Sequence, residues 1–243
     1  MSEWFKDWFD SRYYHLLYEH RNETEAVDFV NTLCDYLSAP PEALLLDLAC
    51  GKGRHAKQFA RRGFRVTGAD LSLASIEAAS KEGNDMLEFV VHDMRNLFRI
   101  NYFDIICNLF TSFGYFRSKH DHFLAARSIA SGLRPGGTFV FDFVNQAYAF
   151  QQISAKPNEK IEKGAITFEI ERAVQGSQMI KSIRFRDGDH SYHFEEKVNS
   201  FSKDEAIRLF ESVGLHWKEA FGSYQLQPYD ESGSSRMILI FEK

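Results

Sequence analysis

The hydrophobic pattern of the chain changes character twice. Between residues 44 and 144, short continuous apolar runs alternate with helical segments. The runs at 44–48, 65–69, 87–91, 103–108 and 138–144 read as buried parallel strands, since a strand covered on both faces need not alternate polar and apolar positions. Residues 54–62, 73–82 and 120–132 read as helices between them, with Gly63 closing the first and Ser72 capping the second. This alternation predicts a parallel sheet with helices on both faces. Further on, 165–173, 178–186 and 190–201 alternate with period two, joined by turn signals at Gln175-Gly176-Ser177 and Asp187-Gly188-Asp189. They predict a three-stranded antiparallel insertion, placed as a lid over 160–201. Ser202 and Glu205 form a capping box that opens a helix to Val213. Two strands, near 217–224 and 236–241, finish the chain.

Ahead of the sheet, Ala26, Val30, Leu33 and Leu37 share one face of a helix predicted over 25–37, with Thr24 as its N-cap. Residues 1–21 carry Trp4, Phe5, Trp8, Phe9, Tyr13, Tyr14 and Tyr18, too many aromatics for a solvated tail. With the helix and the Pro40-Pro41 pair that ends it, they predict a helical cap over 1–40 on a single domain spanning 1–243.

Charge and composition narrow the function classes. A net charge of -5 lacks the broad attraction for phosphate backbones found in nucleic-acid binders. Cys34, Cys50 and Cys107 all sit in apolar runs, and their number is odd, which points to reduced thiols in a cytoplasmic protein. No basic stretch followed by an apolar run marks a secretory leader, and no apolar run has membrane-spanning length. His120 and His122 project in different directions on a helix, and His190 and His193 project to opposite faces of a strand, so neither pair suggests a metal site.

The candidate chemistry sits where the first strand turns into a helix, in Leu46-Asp47-Leu48-Ala49-Cys50-Gly51-Lys52-Gly53-Arg54-His55. Gly51 and Gly53 let the backbone turn tightly and approach a ligand. The helix that follows presents unpaired N–H groups. A plain strand-to-helix turn would look similar. Asp70 ends the second strand, about 20 residues on, where an acid can accept from ribose hydroxyls; it could equally be a helix N-terminal acid. A dinucleotide fold would carry a third glycine, but Arg54-His55-Ala56 follows Gly53 instead. The third strand ends in His92-Asp93-Met94, where a carboxylate could accept from an adenine amine and the Met94 N–H could reach a ring nitrogen. Asp93 alone could also be a loop acid.

Taken in order, these features resemble the class I S-adenosylmethionine-dependent methyltransferases. The resemblance covers 44–144, and the Asp-x-Ala-Cys-Gly-x-Gly form is similar to that of glycine N-methyltransferase-like small-molecule enzymes. Leu133-Arg134-Pro135-Gly136-Gly137 before the fifth strand is another family hallmark. The resemblance implies an α/β fold: a seven-stranded Rossmann-like sheet of order 3-2-1-4-5-7-6 with the last strand antiparallel. It implies S-adenosylmethionine as cofactor and S-adenosylhomocysteine as product. Asp47 would lie under the methionine amine, with Ala49, Cys50, Gly51 and Gly53 along the cofactor; Ala49 stands where many members have glycine. Asp70 would hold the ribose, Leu71 would pack on adenine, and Asp93 and Met94 would read its edge. Asn108 and Leu109 would border the sulfonium. Tyr14 and Tyr18 would close over the cofactor, and Arg21 would meet its carboxylate.

The loop after the fourth strand is not Asn-Pro-Pro-Tyr, and no Pro-Cys pair offers a covalent nucleophile, so no catalytic residue is assigned. The expected reaction is methyl transfer to an N or O atom of a small molecule by a monomer or homodimer, without membrane or nucleic-acid partners. The alternatives are an RNA-base or protein methyltransferase, or a non-catalytic nucleotide-binding module.

Overall fold

The computed structural model describes residues 8–18 and 23–243. The helices α1 (Arg12–Leu17) and α2 (Glu23–Leu37) precede the first sheet. Then come β1 (Leu44–Leu48), α3 (Arg54–Arg61), β2 (Arg65–Asp70), α4 (Leu73–Ser80), β3 (Leu87–Val91), β4 (Phe103–Asn108), α5 (Lys119–Gly132) and β5 (Leu133–Val144). The chain continues through α6 (Gln146–Ala155) and four strands, β6 (Asn158–Lys163), β7 (Ile166–Gln175), β8 (Gln178–Asp187) and β9 (His190–Asn199). It ends with α7 (Lys203–Glu211), β10 (His216–Phe221) and β11 (Arg236–Glu242).

The main sheet runs β10-β11-β5-β4-β1-β2-β3. Counting only its own strands, that is the order 3-2-1-4-5-7-6 expected from the family resemblance. β11 is antiparallel to both β5 and β10, while β1 to β5 pair in parallel. Successive strand residues point to opposite faces, and both faces are covered. Leu45, Val66, Ile105 and Ile240 pack with Phe29, Leu33 and Phe59 from α2 and α3. Leu46, Ile106, Phe141 and Leu239 pack with Ala126, Ile129 and Phe210 from α5 and α7. The continuous apolar runs in the sequence follow from this double burial.

The antiparallel insertion has four strands, not three, in the order β6-β7-β8-β9. The added strand, Asn158-Glu159-Lys160-Ile161-Glu162-Lys163, puts only Ile161 against an apolar core. A charged edge strand of this kind discourages pairing with other chains and carries almost no hydrophobic signal. The insertion buries one face: Ile166, Phe168, Ile170, Ile183 and Phe185 pack under Trp8, Tyr13 and Leu17. The aromatic residues of 8–18 thus dock on this second sheet.

α6 was also not evident in the sequence. It is capped by Asn145, and Ala149 is its one buried residue, so it shows no apolar stripe. The Arg134–Gly137 turn does not precede β5 but is looped out within it: Leu133 pairs with Phe103 and Thr138 with Ile105. Gly136 supplies the positive φ that this bulge needs (76°). Among the described residues, no helix is long and apolar enough to cross a membrane.

Candidate active site

The ends of β1, β2, β3 and β4 open toward one side of the sheet, where ligands of doubly wound folds sit. A cavity of 590 Å³ lies there, between those ends and the N-terminal segment.

The loop after β1 is built from left-handed residues: Ala49 has φ 64°, Gly51 56° and Gly53 77°. Ala49 N–H and Cys50 N–H donate to Ala69 O at 2.7 and 3.1 Å, which ties the loop to β2. Asp70 completes the tie. Its Oδ2 accepts from Gly51 N–H at 2.8 Å and its Oδ1 from Ser72 N–H at 2.8 Å. Burial pushes the Asp70 carboxyl up, and these N–H donors oppose that rise.

The two glycines do different jobs. A Cβ on Gly51 would meet nothing within 4 Å, and Gly51 lines the cavity. A Cβ on Gly53 would lie 2.5 Å from the Phe89 ring, so this glycine serves the packing of α3 on β3. Gly53 does not line the cavity.

Asp47 is 1% exposed and lines the cavity, and its Oδ2 has no hydrogen-bond partner among the described residues. Burial pushes its carboxyl up to about 7, with the nearby Asp70 adding to the rise; an Ala56 N–H donor and Arg54 oppose it. A buried carboxyl with a free oxygen is what an incoming ammonium group would satisfy.

At the end of β3, Asp93 and Met94 line the cavity. Asp93 is gripped by Arg95, which the sequence did not single out. Arg95 Nε donates to Oδ1 at 3.0 Å and Nη2 to Oδ2 at 2.6 Å, while the Arg95 N–H also reaches Oδ1 at 3.0 Å. The same guanidinium lies 5.2 Å from the Phe116 ring centre.

Beyond β4, the structure separates two neighbouring residues. Leu109 lines the cavity. Asn108 does not: it is fully buried behind the wall, with Nδ2 donating to Leu48 O at 2.9 Å. Its role is to tie β4 to β1 rather than to face a ligand. The next residues, Phe110 and Thr111, both have φ 60°, and the Phe110 side chain lines the cavity.

The roof comes from Phe9, Tyr14, His15, Leu16 and Tyr18. Tyr18 donates to Glu196 Oε1 at 2.7 Å and is contacted by the Lys181 ammonium. Trp8 Nε1 donates to the same Glu196 oxygen at 2.7 Å. Asp10 holds the other side, accepting from Ser72 Oγ at 2.6 Å and Ala74 N–H at 3.2 Å. Arg21, expected to complete this roof, lies outside the described residues.

A family model described as a methyltransferase domain matches residues 45–137, from β1 into β5. Residues 45–137 belong to this methyltransferase-domain family, and the sheet has the fold of S-adenosylmethionine-dependent methyltransferases. An S-adenosylmethionine-dependent methyltransferase from Clostridium acetobutylicum superposes with a TM-score of 0.77 over 95% of each chain at 19% identity, a likeness of fold. The cypemycin N-terminal methyltransferase of a Streptomyces species is 26% identical over 82% of each chain. The dTDP-3-amino-3,4,6-trideoxy-alpha-D-glucopyranose N,N-dimethyltransferase of Streptomyces venezuelae is 31% identical over 53% of this chain and 54% of its own. Rat glycine N-methyltransferase is 32% identical over 48% of this chain and 45% of its own. The chain thus spans about half the length of several curated relatives it matches.

The lining of the cavity fits S-adenosylmethionine. Asp47 offers an unpaired oxygen to a cationic group, and the missing side chain of Gly51 leaves open space on the cavity wall.

Proposed function

We propose that this methyltransferase methylates an amine nitrogen of a small molecule. The observation that carries the reading is the aromatic wall of the cavity. Phe9, Tyr14 and Tyr115 form an edge-to-face cluster with ring centres 5.0 and 5.1 Å apart, and Tyr18 stands 4.8 Å from Tyr14. Phe110 and Phe116 continue the wall on the β4 side.

A neutral amine already holds the lone pair that attacks, so it needs no base before transfer. Bound S-adenosylmethionine supplies an electrophilic methyl group on a sulfonium. During transfer, positive charge builds on the acceptor nitrogen, and aromatic faces stabilise it. The roof excludes water, and the walls hold the acceptor in line. The three relatives named above are all named for nitrogen acceptors, which supports the same choice here.

Within this reading, Asp47 accepts from the cofactor ammonium and Asp70 shares its remaining lone pairs with the ribose. Leu71 and Met94 flank the adenine, and Asp93, steadied by Arg95, takes its amine. Ala49, Cys50 and Gly51 run beside the methionine portion. Leu109 borders the sulfonium, and Tyr14 and Tyr18 close the roof.

The test is to incubate the purified protein with methyl-labelled cofactor and three amine acceptors: an amino-sugar nucleotide, a peptide with a free N-terminus, and glycine. Transfer RNA, a protein substrate and hydroxyl analogues of the amines run in parallel. Label on an amine, with S-adenosylhomocysteine formed in step, is the expected result. Label on RNA, protein side chains or hydroxyls alone overturns the acceptor assignment. Cofactor binding without any turnover would leave a nucleotide-binding module.

A further inference from the structure

Behind the loop that follows β4 lies a buried polar cluster whose acid, arginine and tyrosine, Asp142, Arg236 and Tyr224, fall outside the motifs and the 45–137 family match. Phe110 and Thr111 both hold φ 60°, a region costly for residues with side chains, and two in succession need external support. Asp142 provides it. Its Oδ2 accepts from Phe110 N–H at 2.7 Å, and its own carbonyl accepts from Thr111 N–H at 3.1 Å.

Asp142 is in turn held by Arg236. Nε and Nη2 donate to Asp142 Oδ1 at 2.8 and 2.6 Å, and Nη2 reaches Thr111 Oγ1 at 3.1 Å. Tyr224 OH donates to Asp142 Oδ2 at 3.3 Å. Thr111 Oγ1 also accepts from Val144 N–H at 3.0 Å. β11 pairs Arg236 with Val144 and Ile238 with Asp142. The acid and the arginine are therefore diagonal neighbours on adjacent strands and share a face.

Asp142, Thr111, Tyr224 and Arg236 do not line the cavity; Phe110 does. Its ring lies 4.5 Å from the Arg54 guanidinium and 5.9 Å from that of Arg236. The cluster thus fixes one aromatic face of the cavity from behind.

We propose that Asp142, Arg236 and Tyr224 are positioning residues that hold Phe110 against the methyl acceptor. The proposal rests on the amine-transfer reading above. It assigns acceptor placement to a clamp on β5, β11 and the segment between β10 and β11. The glycine loop after β1 keeps the cofactor.

The test pairs Asp142→Leu with Arg236→Met in one protein. Removing both charges with apolar groups of similar size leaves no buried charge without its partner. Arg236→Lys is the second variant: it keeps the charge but loses the fork that spans Asp142 and Thr111. Each protein, and the parent, is made with 4-fluorophenylalanine at position 110 and examined by fluorine NMR with S-adenosylhomocysteine bound. The expected result is one narrow resonance in the parent and a broadened or split one in the double variant, with Arg236→Lys between. S-adenosylhomocysteine affinity by calorimetry should stay within about threefold, while kcat/KM for the amine acceptor falls by about tenfold or more.

An unchanged fluorine resonance in both variants overturns the clamp. So does a loss of S-adenosylhomocysteine affinity as large as the loss of turnover, because the cluster would then serve the cofactor. If the double variant fails to fold, Arg236→Lys alone decides. If the parent methylates no amine, the acceptor reading fails by itself, and the fluorine spectra still decide whether Asp142 and Arg236 hold Phe110.

Discussion

The loops after β1 and β4 solve one problem by two routes. Both turn through left-handed backbone, and both are pinned by an acid from the neighbouring strand. Asp70 on β2 holds Gly51, and Asp142 on β5 holds Phe110. The β1 loop uses glycine, so its backbone comes close to the cavity and leaves open space there. The β4 loop uses Phe110 and Thr111, so it projects a ring into the cavity and needs a buried ion pair to hold the strain. The first route makes room for a ligand, and the second shapes the wall a ligand meets.

The largest expected effect breaks the first route. In Gly51→Val, a β-branched side chain is forced to φ 56° and into the open space of the cavity. S-adenosylhomocysteine affinity should fall by on the order of 100-fold, about 3 kcal/mol. Calorimetry on a variant shown to be folded measures it. Unchanged affinity would mean that the space beside Gly51 is not the cofactor's. Asp70→Ala should weaken the same binding by about 2 kcal/mol, as two backbone N–H groups and the ribose lose their acceptor. Its acceptor KM should move little, because the β4 loop does not depend on Asp70.

The same contrast explains what the sequence made legible. Glycines at fixed spacing after an apolar run report the first route directly. The double burial of Leu45 and Leu46 on opposite faces made β1 readable as a central strand. The strand order itself came from the family resemblance, since periodicity cannot say which strand lies beside which. The second route left no local signal. Asp142 and Arg236 lie 94 positions apart, and each alone is an ordinary charged residue on a strand. Arg95, two residues past Asp93, carries no local signal of its role, because spacing does not show which side chain folds back. Spacing cannot tell Gly53 from Gly51, because a glycine that avoids Phe89 and one that clears a cavity look alike in sequence. β6 and α6 each bury almost nothing, so hydrophobic patterning could not report them.

Asp47 sharpens the comparison through pH. Its carboxyl titrates near 7 in the folded chain against an ordinary value of 3.8. Below about pH 4, both folded and unfolded forms are protonated and burial costs nothing. Between 4 and 7, the unfolded chain loses its proton first, so stability falls as pH rises; above 7 the penalty is constant. Asp47→Asn should therefore melt like the parent near pH 4 and be more stable by roughly 1–2 kcal/mol at pH 8. The same change should weaken S-adenosylhomocysteine by about 1.5 kcal/mol, because the amide no longer pairs with the ammonium. Binding to the parent at pH 6 should release a proton, read from calorimetry in buffers of different ionisation enthalpy. A variant that binds as tightly as the parent would place the ammonium elsewhere.

The smallest effect compares the loops residue for residue, by putting glycine where each has a side chain at positive φ. Ala49 sits at φ 64° with its N–H bonded to Ala69 O, and a glycine there keeps that bond. Ala49→Gly relieves about 1 kcal/mol of left-handed strain. It also loosens the unfolded chain by about 0.4–1 kcal/mol. The net change should be a gain of no more than about 0.5 kcal/mol, seen as a melting point higher by about 1–2 °C. Cofactor affinity should not change. Thr111→Gly relieves the same strain but deletes the oxygen that accepts from Val144 N–H and Arg236. It should lose about 1–2 kcal/mol, because a buried N–H and part of a buried guanidinium are left without their acceptor. Thermal melts of the two variants side by side give the sign of each. A gain at both positions would show that the β4 loop rests on backbone preference alone and that Thr111 is no part of what holds it.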